Sequence, residues 1–184
     1  AFGWAFALGL RGPFLLVFRR HITDIPQLSR RMTALSGPLE EVVRVLAVVL
    51  IGRDLDTAYS IGLGWAGIEI VYAIINGALL TSLQARTDAK GVEAREQLEA
   101  FGMLRDFPAL ASVVERATAS AFHIGATLLL ATWPLAVLAT IPMHSALNLG
   151  FTSMLKRNLF YAESIVAAIG VPTLVFGLLA ADAI

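Results

Sequence analysis

From Thr57 to Leu83 the chain carries no formal charge except Glu69 and no side-chain amide except Asn76. About 20 apolar residues are enough for a helix to cross a hydrocarbon core roughly 30 Å thick. Within lipid every backbone N–H and C=O must find a partner in its own segment, so such a run folds as a helix. The rest of the chain agrees. Hydrophobic residues make up 57% and charged residues 15%, against about 25% charge in a typical soluble domain. Mean hydropathy is +0.73. The expectation is an all-α, polytopic integral membrane helical bundle, one transmembrane domain over residues 1–184.

Taken in order, Ala1–Phe18 is apolar but for Arg11, and Arg19–Arg31 is basic with Pro26 as a breaker, hence an interfacial loop. Pro38–Gly52 reads as a second helix, with Ser36 or Gly37 as its N-cap and Pro38 in the first helical position. Thr57–Leu83 is the third. Gln84–Asp106 is strongly charged, with Ala94, Leu98, Phe101 and Leu104 at helical spacing, and is expected to form an amphipathic surface helix. Pro108–Ala131, Trp133–Thr152 and Leu159–Ala181 complete about six transmembrane helices. The chain begins at Ala1 within an apolar run, so any targeting segment lies outside what can be read.

The formal net charge is zero, which gives no bias toward nucleic acid. The absence of cysteine excludes disulfides and thiolate chemistry. Lysine and arginine are unevenly placed. Arg19, Arg20, Arg30 and Arg31, then Arg86, Lys90, Arg95 and Arg105, then Lys156 and Arg157 fall on alternate connections, and the other side has only Arg53. The positive-inside rule puts the basic connections in the cytoplasm.

Ionisable residues inside spans are functional candidates, because each is expensive in lipid. Glu40 and Glu41 sit four and three residues before Arg44, at the mouth of the second helix. Alone, they could simply complement its dipole. Glu115, Arg116 and His123 lie on the fourth helix, with His123 about 12 Å deeper than Glu115 at 1.5 Å per residue. His144 and Asn148 share a face of the fifth helix, and Trp65 and Glu69 share one on the third. Each could be ordinary interhelical glue. A carboxylate pair, two histidines and an amide at compatible depths are better explained by one shared cavity. Gly62 to Gly67 fits a dinucleotide fingerprint, but no strand precedes it; there the small residues allow close helix approach.

With these residues in place, the chain resembles the superfamily of glutamate-dependent intramembrane proteases that includes the CAAX-prenyl endopeptidases, the PrsW-type proteases and the YhfC family. Glu40-Glu41-Val42-Val43-Arg44 matches the EExxR/K element, and Trp65 to Glu69 the second element, FxxxE or FxxxH. Phe122-His123 and His144 to Asn148 (HxxxN) follow in order. Gly62-Leu63-Gly64 with Glu69, and Glu115-Arg116 ahead of His123, are closest to the YhfC branch. Trp65 stands where the family has Phe or His, and Glu69 where the prenyl proteases use a histidine.

The resemblance implies an intramembrane endopeptidase, a hydrolase of the bacterial cytoplasmic (inner) membrane with its site open to the cytoplasm. Glu40 would activate a water, held by Glu41 or Arg44; His123 would position that water, and His144 and Asn148 would bind the oxyanion. Glu69 and Arg116 would support them. No cofactor is implied, although Glu40, His123 and His144 could together hold zinc. The expected partners are membrane lipids and a membrane-protein or lipidated-peptide substrate, and no nucleic acid. The alternative is a catalytically inactive homologue serving as a structural subunit of a larger membrane complex. A transporter of this size should show two similar halves, and none is visible.

Overall fold

The computed structural model describes residues 2–100, 109–155 and 157–182. Among these described residues seven helices follow one another: α1 (Phe2–His21), α2 (Ile25–Ile51), α3 (Leu55–Ala85), α4 (Ala89–Ala100), α5 (Ala109–Thr132), α6 (Val137–Leu155) and α7 (Leu159–Ala181). A single 3₁₀ turn, Pro134–Ala136, leads into α6. There is no strand among the described residues, and the chain is all-α. Among the described residues three stretches are long and apolar enough to cross a membrane: Leu55–Ala85, Pro134–Leu155 and Leu159–Ala181. Of the expected amphipathic helix, α4 is described, whereas Phe101 and Leu104 lie outside the described residues.

Polarity is distributed in the reverse of a water-soluble protein. Leu50 is 79% exposed and Phe160 73%, while Glu41 and Arg44 are fully buried. Large apolar side chains facing outward, with charges paired inside, are stable only where the surroundings are themselves apolar. Small apolar clusters complete the interior, one around Val48, Ala58, Leu128 and Ala131, another around Phe122, Ala126, Leu147 and Val166.

Two expectations are corrected. The basic stretch Arg19–Arg31 is not a loop, because α1 runs on to His21 and α2 begins at Ile25. Asp24 is the N-cap, its carboxylate accepting from the Gln27 amide at 3.0 Å, and Pro26 lies in the first turn, where a missing N–H costs nothing. Pro38 is therefore interior to α2 rather than at its start. An interior proline leaves the carbonyl four residues back without its helical donor, and here that carbonyl belongs to Ala34. The Ser145 hydroxyl on α6 donates to it at 2.9 Å. The proline that resembles a helix start instead ties α2 to α6.

Glycines bring other helices together. A Cβ on Gly125 would collide with the Thr173 carbonyl, and one on Gly170 with the Thr118 carbonyl, so α5 and α7 touch backbone to backbone. A Cβ on Gly62 would lie 2.9 Å from Ile124 Cα, whereas one on Gly67 would meet nothing. Only the first of these two α3 glycines therefore serves close approach. Arg53 closes the far end of α5, its Nε donating to Ala131 O at 2.7 Å and a terminal nitrogen to Thr132 O at 2.8 Å.

Candidate functional site

The α2 register that follows Pro38 turns Glu40, Glu41 and Arg44 inward, and all three are buried. Glu40 lies between two donors. Arg11 of α1 forms an ion pair with its Oε1, and the Trp65 indole of α3 donates to Oε2 at 3.0 Å. Glu41 turns the other way, its Oε1 2.7 Å from His144 Nδ1 and 3.3 Å from an Arg44 nitrogen.

Arg44 lies 4.7 Å from the centroid of the Trp65 ring, a cation–π stack. Its terminal nitrogen reaches His123 Nδ1 at 2.6 Å. A guanidinium can only donate, so Nδ1 of His123 is an acceptor and the ring proton sits on Nε2. That proton points to Glu69 Oε2, 2.6 Å away. Glu69 is also 3.7 Å from Arg116, which pairs with Glu115. The result is one connected polar chain of Arg116, Glu69, His123, Arg44, Glu41 and His144, joining α5, α3, α2 and α6. Each buried charge in it has an opposite charge or a hydrogen-bond partner, as burial requires.

His123 is thereby saturated, since neither ring nitrogen is left for a water. His144 differs. Its Nδ1 faces a carboxylate and must donate, while Nε2 stands 3.9 Å from Glu40 Oε2, too far for a direct hydrogen bond. The two imidazoles pack edge to face, 5.4 Å between centroids. Asn148 is one turn beyond His144, its amide donating to Ser36 Oγ at 2.7 Å.

Glu40, Glu69, Arg116, His123, His144 and Asn148 all line one cavity of about 300 Å³; Glu41 and Arg44 form the layer behind it. All the side chains expected from sequence are thus in or against a single site. Among the described residues no three His, Cys, Asp or Glu side chains are arranged to hold a metal, and this includes the zinc set that the sequence left open. Both nitrogens of His123 are engaged and both Glu40 oxygens accept hydrogen bonds, so Glu40, His123 and His144 do not converge as ligands. Three contributors were not among the expected site residues: Trp65, which sequence had marked only as part of the second family element, Arg11 and Ser36. Arg11 was visible as the one charge in the first apolar run, the same signal that marked the others. Ser36 had no such signal, because its role appears only when α2 and α6 are paired.

The chain matches no model of a known protein family, no curated protein and no solved structure.

Proposed function

We propose that the protein is an intramembrane endopeptidase of the glutamate-dependent kind, with about six membrane-spanning helices and its site open to the cytoplasm. The observation that carries this reading is the approach of Glu40 and His144 across 3.9 Å at the wall of the shared cavity. A water seated between them touches Glu40 Oε2 and His144 Nε2 together. Glu40 takes its proton, and the hydroxyl adds to a scissile carbonyl. With Nδ1–H committed to Glu41, His144 donates to the resulting oxyanion through Nε2–H as an imidazolium between two carboxylates. The second amide hydrogen of Asn148 is the other donor in reach of the cavity. Glu40 then delivers its proton to the leaving amine. Donors preorganised in a dry site stabilise such charge far better than water does, and a positioned base contributes about 10²–10⁴-fold. His123 acts by holding Arg44 and Glu69 rather than by touching the water.

The inactive, structural reading has its own observation in favour, the Arg11 ion pair on Glu40, which engages the base in the resting state. The two readings separate in one experiment. Purified protein reconstituted in liposomes is given membrane-spanning peptides with a helix-broken centre, in water enriched in heavy oxygen. Fragments carrying one heavy oxygen at the new carboxyl terminus support hydrolysis. Intact peptide beside folded protein supports the structural role.

A further inference from the structure

Five side-chain atoms in the described bundle that are buried without a hydrogen-bond partner lie outside α7: Trp4 Nε1, Arg11 Nε, Glu41 Oε2, Arg44 Nε and Thr140 Oγ1; the sixth is Glu163 Oε2. An orphaned buried donor costs about 1–3 kcal/mol. Of the six, only Trp4 and Arg11 belong to residues that line the cavity. Both are donors, and both are on α1. They are seven residues apart, so they share a face, two turns and about 10 Å along the axis. Trp4 is 5% exposed, and its ring packs on Tyr72 at 5.1 Å between centroids. Arg11 is fixed at its tip by Glu40.

We propose that this face of α1 is a binding edge for a peptide backbone, on which Trp4 Nε1–H and Arg11 Nε–H each donate to a main-chain carbonyl of an unwound stretch of a membrane-spanning chain. The proposal rests on the endopeptidase reading and assigns its substrate contact. A helix must open before a peptide bond inside it can be attacked, and each carbonyl released into an apolar bundle without a donor costs several kcal/mol. The two orphaned donors meet that need, and the unwound chain in turn satisfies them. Because one terminal nitrogen of Arg11 already holds Glu40, a carbonyl on its Nε lies beside the proposed base. Trp4 then binds the same chain farther along α1, outside the reacting atoms. An ester carbonyl of a lipid is the competing acceptor.

The test uses the unaltered protein in lipid nanodiscs, nitrogen-labelled at its indoles and read before measurable cleavage, so that Arg11 keeps its Glu40 anchor. There are only three tryptophans, so the Trp4 signal is identified by its loss in Trp4→Phe. A membrane-spanning peptide with a Gly-Pro centre is titrated in, against an all-leucine helix of equal length and against exchange of ester for ether lipids. A saturable shift of the Trp4 signal with the helix-broken peptide alone is expected. A shift on lipid exchange, or with neither peptide, overturns the proposal. In otherwise unchanged protein, Trp4→Phe keeps the ring on Tyr72 and should raise KM roughly three- to tenfold with kcat unchanged. Cleavage with an unaltered KM overturns the role of Trp4 while leaving the endopeptidase reading intact; no cleavage by the parent removes that reading and this one with it.

Discussion

His144 donates through Nδ1 to Glu41 over 2.7 Å, joining α6 to α2 at the centre of the bundle. The same Glu41 oxygen lies 3.3 Å from Arg44, and both residues are fully buried. Glu41 is therefore the countercharge for a guanidinium that has no other carboxylate in ion-pair reach among the described residues, and it fixes the tautomer of the imidazole. Removing one member of a buried pair is destabilising by about 3–5 kcal/mol. Glu41→Gln should accordingly lower the unfolding midpoint in detergent by several degrees, and any cleavage with it. An unchanged midpoint would mean that Arg44 finds its compensation elsewhere.

Ser145 and Pro38 form a second testable pair. Among the described residues the Ser145 hydroxyl is the one side-chain donor on the Ala34 carbonyl, so Ser145→Ala should destabilise by roughly 1–3 kcal/mol. Pro38→Ala restores the helical N–H to that carbonyl, so in the Pro38→Ala background the serine change should cost much less. A double-mutant cycle on equilibrium unfolding measures the coupling. Additive effects would show that the hydroxyl does not replace the missing bond.

The helices were legible from periodicity and polarity, and α7 begins and ends at Leu159 and Ala181 as read from sequence. The start of α2 was not. Pro26 and Pro38 both suit a first helical position, and which one holds it depends on the Asp24 cap and on the distant Ser145. The site residues were legible because a charge or imidazole in an apolar run has few reasons to be there. Their pairing was not. Glu40 and Glu41 are adjacent in sequence, yet one faces Arg11 and Trp65 and the other Arg44 and His144, a division set by helix rotation. For the same reason His123, read as a residue that positions water, is saturated by Arg44 and Glu69.

The α5–α7 contact yields a prediction opposite in sign to helix propensity. Gly→Ala in a helix interior normally gains about 1 kcal/mol. At Gly125 the new Cβ would strike the Thr173 carbonyl and come within 2.5 Å of Leu174 Cα. Gly125→Ala should therefore lower stability, whereas Gly67→Ala, in open space, should not. Comparing the two midpoints in one detergent checks this. Equal behaviour would show that α5 and α7 are not in backbone contact.

The basic connections set an expected topology, with their side in the cytoplasm. Cysteines at exposed Ser29 and Thr87 should resist a membrane-impermeant thiol reagent in intact cells, and one at exposed Asp56 should react. The absence of native cysteine leaves the background clean. The opposite pattern would put the cavity mouth on the other side of the membrane.

Glu40→Gln removes the proposed base. The amide keeps the shape and can still accept from the Trp65 indole, but it cannot take a proton from water. Arg11, 26% exposed, can turn its freed charge toward solvent, so the fold should persist. Initial cleavage rates of a helix-broken peptide are compared for parent and variant in the same liposomes, at matched folded protein. The expected result is a fall of about 10²–10⁴-fold with an unfolding midpoint close to that of the parent. Equal rates in the two proteins would contradict it.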